Sequence, residues 1–248
     1  MGQLDGKVAI ITGAAQGMGE AHVRRFVAEG ARVVMADINE DEGRRIAKEL
    51  GERVVFVKAD VTSVEDWRTL VQTASSEFGN VTVLVNNAGI LGPIAETVEI
   101  SEEDFHTVCL VNQYSQFYGM KAVIPFMQKA GGGSIVNVSS VAGLVSIVGA
   151  PNLAYVGSKF ASRGMTKHVA AQYGKDNIRA NSVHPGYIKT PMMAAATDEE
   201  GGGIVSQIPL GRMADPDEVA QLVVWLASEA SSYVSGTEQV IDAGLTAQ

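Results

Sequence analysis

The sequence predicts an α/β fold: one doubly wound parallel sheet of seven strands with helices on both faces. Three observations carry this. Short apolar runs alternate with longer amphipathic ones along the whole chain. The first run, Val8-Ala9-Ile10-Ile11, is apolar at every position rather than at every second one, the pattern of a strand buried on both faces. No Pro- or Ser-rich linker interrupts the 248 residues, so 1–248 reads as a single domain.

The first apolar run, 8–11, is a strand, and a helix follows over 17–29. Residues 32–36 form the second strand and the charged stretch 40–50 the second helix. The third pair is 53–57 and 64–78. A fourth strand at 81–85 precedes a helical pattern over 102–129, enough for one long helix. Residues 135–138 are the fifth strand, 154–173 a helix and 179–183 the sixth strand. A late helix at 217–228 and a last strand at 238–241 complete the series. The least regular stretch, 186–209, carries Gly201-Gly202-Gly203. It reads as a mobile flap, because long irregular loops in compact domains are usually lids or binding loops.

Composition narrows the function. A formal net charge of −9 disfavours nucleic acid and anionic membrane surfaces as partners. No apolar run approaches the roughly 18 residues of a membrane span. The single cysteine, Cys109, rules out an internal disulfide and fits a reducing compartment. The start, Met1-Gly2-Gln3-Leu4-Asp5, lacks the basic and apolar regions of a signal peptide. A cytoplasmic location is expected. His22, His106, His168 and His184 show no ligand spacing, so no metal is expected.

Thr12-Gly13-Ala14-Ala15-Gln16-Gly17-Met18-Gly19 lies where the first strand meets the first helix. Glycines there let the backbone approach a pyrophosphate, and the helix N-terminus offers unpaired N–H groups. Strand, turn and helix in that order point to a dinucleotide site contacted by Gly13, Gln16, Gly17 and Met18. Asp37 ends the second strand, 18 residues after Gly19. Its carboxylate suits the adenosine ribose hydroxyls and repels a 2′-phosphate. Gln16 and Ile38 offer that phosphate no cation, so NAD is expected over NADP.

Tyr155 and Lys159, in Tyr155-Val156-Gly157-Ser158-Lys159, share one helix face a single turn apart. A phenol has an unperturbed pKa of about 10. A fixed ammonium beside it favours the phenolate and lowers that value. The pair outlines a proton-transfer device, although such pairs also occur on solvated helix faces.

Taken in order, Thr12-Gly13-xxx-Gly17-x-Gly19, Asn86-Asn87-Ala88-Gly89, Tyr155-xxx-Lys159 and Pro185-Gly186 resemble the short-chain dehydrogenase/reductase family over the whole chain. The resemblance implies a Rossmann fold and a nicotinamide cofactor. It implies that Asp60 and Val61 contact adenine, and that Asn87, Ala88 and Gly89 flank the cofactor. Pro185, Gly186, Ile188 and Thr190 would hold its carboxamide and phosphate side. Asn86 reads as structural. The implied catalytic set is Asn112, Ser140, Tyr155 and Lys159. Of the adjacent Ser139 and Ser140, the family pattern selects Ser140, three residues before Gly143, to hydrogen-bond the substrate oxygen. Tyr155 would exchange the alcohol proton, and Lys159 would lower its pKa and bind the nicotinamide ribose. Asn112 would hold a water that extends the relay. Fifteen positions separate Ser140 from Tyr155, a two-residue insertion relative to the family.

Leu91, Ile94, Val141, Ala142, Ile147, Tyr187, Met192 and Met193, with Ile204, are candidate pocket residues, and several equally fit plain core. Their apolar character favours a hydrophobic secondary alcohol or ketone (cyclic, aryl or steroid-like) over a sugar or acid. Ser182-Val183-His184-Pro185-Gly186 and Thr190-Pro191-Met192 are similar to bacterial hydroxysteroid and secondary-alcohol dehydrogenases of the family. The resemblance also implies a homotetramer, with 102–129 and 154–173 in a four-helix interface. One rival reading is a 3-oxoacyl-thioester reductase. The charge of −9 and the neutral Gln128 and Gln172 argue against docking an acidic carrier protein. The other is a non-catalytic dinucleotide-binding protein, which the presence of all four catalytic candidates disfavours.

Overall fold

The computed structural model describes residues 2–146, 152–194 and 202–247. Its strands are β1 Val8–Thr12, β2 Arg32–Asp37, β3 Val54–Lys58, β4 Val83–Asn86, β5 Gly133–Val138, β6 Ile178–Pro185 and β7 Glu238–Ile241. They form one seven-stranded sheet in the order β3-β2-β1-β4-β5-β6-β7, and every pairing is parallel. The helices are α1 Gly17–Ala28, α2 Glu40–Leu50, α3 Val64–Glu77, α4 Glu102–Cys109, α5 Ser115–Ala130, α6 Leu153–Tyr173, α7 Pro191–Ala194 and α8 Pro216–Ala227.

β1 is buried at every position. Its side chains alternate between two apolar layers, as strand geometry requires. Ala9 and Ile11 join Val23, Phe26, Ile46 and Val223 on the α1–α2–α8 side. Val8 and Ile10 join Trp67, Leu70, Val123 and Met127 on the side of α3 and α5. This double cover explains the unbroken apolar runs and makes the fold a Rossmann fold. Strand order reverses between β1 and β4, and ligands of open α/β sheets bind outside the carboxyl ends of the strands at such a switch point.

Two elements differ from the sequence reading. The expected helix over 102–129 is α4 and α5 joined by a π-helical turn, Leu110–Tyr114, with Asn112 at its centre. Asn is a poor helix former, and its buried side chain turns toward the chain after β4. β6 extends through His184 and Pro185, beyond the expected end at 183, because both continue the pairing with β7. Within the expected flap 186–209, the described residues form α7 and a 3-10 turn over Gly202–Gln207. Ile147 lies outside the described residues. No helix among the described residues is long and apolar enough to cross a membrane.

Candidate active site

The switch point opens into a cleft of about 300 Å³. The glycine-rich turn forms its floor. Gly13 has φ +62°, and a Cβ there would stand 2.9 Å from the Cα of Ala88. A Cβ at Gly19 would stand 1.8 Å from the carbonyl oxygen of Gly13. Only glycine lets these segments approach so closely. Asn87 locks the arrangement: its Nδ2 donates to the carbonyls of Thr12 at 3.0 Å and Gly13 at 3.2 Å. Thr12 Oγ1 in turn accepts from the amides of Asn87 and Ala88. Gly17 faces Thr190, whose Cγ2 lies 3.3 Å from where a Cβ would be.

Most residues expected at a dinucleotide line this cleft. Gly13, Gln16, Gly17 and Met18 come from the turn, and Asp37 and Ile38 from the end of β2. Asp60 and Val61 follow β3, Asn87, Ala88 and Gly89 follow β4, and Thr190 precedes α7. Asp37 is already anchored, Oδ2 accepting from the Ala15 amide and Oδ1 from the Asn39 amide, each at 2.9 Å. Asp60 Oδ1 accepts from the amide and hydroxyl of Thr62. Ile90, Val111 and Pro191 line the wall without having been expected there, and Met192, expected at the substrate, lines it too. Pro185, Gly186 and Ile188 do not line the cleft. Gly186 packs on Asp242, and Ile188 is buried.

The structure brings Asn112 and Lys159 together beside Gly89, with the Tyr155 ring next to Lys159 and Ser140 next to Tyr155. A Cβ on Gly89 would stand 3.2 Å from Asn112 Oδ1 and 3.5 Å from Lys159 Nζ. Lys159 Nζ sits 5.4 Å from the centroid of the Tyr155 ring and donates to the Val138 carbonyl at 3.1 Å. The neighbouring serines divide clearly. Ser139 Oγ donates to the Lys159 carbonyl at 2.9 Å. Ser140 Oγ accepts from the Ala142 amide at 3.1 Å and lies near enough to the Tyr155 phenol to pull its pKa down. Asn112 is clamped to the chain after β4: Oδ1 accepts from the Ile90 amide at 2.8 Å and Nδ2 donates to the Ile90 carbonyl at 2.9 Å. Its Nδ2 also donates to Ser158 Oγ at 3.1 Å, so both amide protons are engaged. Asn86 is structural, donating to Asn137 Oδ1 at 2.8 Å.

Burial dominates the electrostatics. It lowers the Lys159 ammonium to about 8 and raises the Tyr155 phenol, with the Ser140 hydrogen bond opposing the rise. The sequence reading expected Lys159 to depress the phenol. In the structure the ammonium lies over the ring, and burial sets the net direction for the phenol upward.

Two positioning groups escaped the sequence reading. Asn152 Oδ1 accepts from the Tyr155 amide at 3.1 Å while its Nδ2 donates to the Leu91 carbonyl at 2.8 Å. Asn three residues before an active-site Tyr is a helix N-cap signal and was readable as such. His184 Nδ1 donates to the Ser140 carbonyl at 2.8 Å, and Nε2 accepts from Ser182 Oγ at 2.8 Å. No local pattern marks that role. Of the pocket candidates, Val141 and Ala142 are buried in the turn after β5 and present almost no surface. Leu91, Tyr187, Met193 and Ile204 are partly exposed, and Ile94 and Met192 are exposed.

Comparisons with known proteins agree with this geometry. The profile of the family described as Enoyl-(Acyl carrier protein) reductase matches residues 13–246. A 3-alpha-(or 20-beta)-hydroxysteroid dehydrogenase of Mycobacterium tuberculosis is 45% identical over 99% of this chain and 92% of its own. Trans-4-hydroxycyclohexanecarboxylate dehydrogenase of Sinomonas cyclohexanicum is 44% identical over 97% of this chain and 93% of its own. A cyclopentanol dehydrogenase of Comamonas sp. is 42% identical over the full length of both. Family and fold together make this chain a nicotinamide-dinucleotide-dependent oxidoreductase of CH–OH groups. The chain belongs to the short-chain dehydrogenase/reductase family.

Proposed function

We propose that the protein is an NAD-dependent dehydrogenase of hydrophobic cyclic secondary alcohols, acting in reverse as a ketone reductase. The observation that carries this is the convergence of Ser140 and Tyr155 with Lys159, whose Nζ stands beside Gly89, a wall residue of the cleft. The residues suit a dinucleotide: glycines leave bare backbone at the turn, and Asp37 stands at the end of β2 beside the exposed, apolar Ile38. That pairing supports NAD over NADP. When bound, the dinucleotide supplies the hydride chemistry.

The chain's own residues do the rest. The Ser140 and Tyr155 hydroxyls bind the substrate oxygen. Tyr155 takes the alcohol proton in oxidation and returns it in reduction. Lys159 stabilises the phenolate through the ring-side charge. Asn112 holds the chain after β4 against α6 and keeps that charge in place. Names of the relatives, among them a cyclopentanol and a cyclohexanol dehydrogenase, support a cyclic substrate. The reading extends to a homotetramer through a four-helix interface, which a groove of about 700 Å³ along α5 and α6, including Phe117, Met165 and Tyr173, supports. We place the enzyme in the cytoplasm as a single-domain chain.

The test is a panel of cyclic and aryl ketones, a 3-ketosteroid and an acetoacetyl thioester with NADH and NADPH. Reduction of cyclic ketones with NADH is expected. Turnover of the thioester alone would replace this reading with the acyl-thioester one.

A further inference from the structure

The seam between the two helices that carry the catalytic candidates is polar where core is expected to be apolar. At its upper end Asn112 donates to Ser158 Oγ of α6. Eight residues further along each helix, Met120 and Thr166 meet on Asn137, whose Nδ2 lies 3.6 Å from Met120 Sδ and 2.9 Å from Thr166 Oγ1. The two helices therefore run in register, and by helical periodicity the rung midway between these contacts sets Gln116 opposite Ser162. Both residues are fully buried. Gln116 Oε1, Gln116 Nε2 and Ser162 Oγ have no hydrogen-bond partner among the described residues.

Buried polar groups in native proteins are almost always bonded, to protein or to ordered water. A direct Gln–Ser bond satisfies only one end of the amide. A water between the two side chains reaches both: it accepts from Ser162 Oγ–H and donates to Gln116 Oε1.

We propose that Gln116 and Ser162 hold an internal water between α5 and α6, one turn beyond Asn112 and Ser158, and that this rung fixes the spacing of Asn112 from Lys159. Both are positioning residues. The second clause rests on the proposed function, and the first does not.

The test joins a crystal structure of the intact protein, at a resolution that orders internal waters, to a double-mutant cycle. Its corners are wild type, Gln116→Leu, Ser162→Ala and the double variant, each read by Tm and by kcat well below Tm. The expected structure has a water within about 3.2 Å of both side chains. Each single variant is expected to lose several degrees in Tm and several-fold in kcat, with the dinucleotide Kd unchanged. The double variant is expected to lose no more than the worse single, because an all-apolar seam needs no water. If Gln116→Leu does not fold, Gln116→Met takes its place. A direct Gln116–Ser162 bond with no water between them, or additive losses in Tm, would overturn the first clause. Unchanged kcat in both singles despite a lowered Tm would overturn the second. Absence of turnover on any alcohol would strike the proposed function, while the water and the Tm cycle would still decide the rung.

Discussion

Lys159 Nζ stands over the ring of Tyr155, 5.4 Å from its centroid, with one proton given to the Val138 carbonyl. The ammonium is thus fixed by backbone over the face of the phenol ring. Tyr155→Met would remove this neighbour without touching Lys159. The Lys159 ammonium is expected to titrate near 8 in wild type, followed by NMR of its side-chain methylene. A value at the ordinary 10.4 or so of an exposed lysine would contradict the burial that sets it.

Asp37 is held by the Ala15 and Asn39 amides and stands in the cleft wall. Asp37→Ser is expected to narrow the preference for NAD over NADP by about tenfold or more, roughly 1.4 kcal/mol. The ratio of kcat/KM for the two cofactors reads this directly. An unchanged ratio would remove Asp37 from cofactor choice.

Asn152 joins the start of α6 to Leu91. Asn152→Ala is expected to cost about 1 kcal/mol as a lost N-cap, a fall of about 2–4 °C in Tm for a chain of this size. Turnover should fall further than stability explains, because the Tyr155 amide is the donor released. Asn152→Asp or Asn152→Ser, which keep the cap, should recover the Tm.

His22 is fully buried in α1 with neither ring nitrogen hydrogen-bonded among the described residues. Burial lowers its pKa to about 4. The folded value lies below the unfolded value of about 6.5, so the neutral ring's contribution is complete above pH 6.5 or so. It is lost as pH falls toward 4, by roughly 3 kcal/mol in all. Urea unfolding at several pH values in wild type and His22→Leu should show that slope in wild type only.

Much of this was legible before any coordinates. The runs of β1 to β4 were plain because a parallel sheet buried on both faces leaves them few polar positions, whereas β6 and β7, with Arg179, Asn181, Glu238 and Gln239, carry the pattern less clearly. The glycine-rich turn and Asp37 were readable because a close backbone approach and a strand-end carboxylate leave local marks. The π turn at Asn112 was not, since its cause is the Ile90 backbone 22 residues away. The same holds for His184, whose partner Ser140 lies 44 residues earlier, just after β5. The buried Val141 and Ala142 show the converse limit: an apolar residue beside a catalytic candidate packs inward as readily as toward a substrate.

The most direct measurement is NAD-dependent oxidation of cyclopentanol or cyclohexanol by wild type and Tyr155→Phe, with NAD binding measured alongside. The expected result is turnover by wild type and a loss of about 100-fold or more in Tyr155→Phe, the scale of a lost acid–base group, with NAD affinity and Tm retained. Equal turnover by the two proteins, or binding of NAD with no turnover by wild type across the ketone and alcohol panel, would contradict a proton transfer at Tyr155.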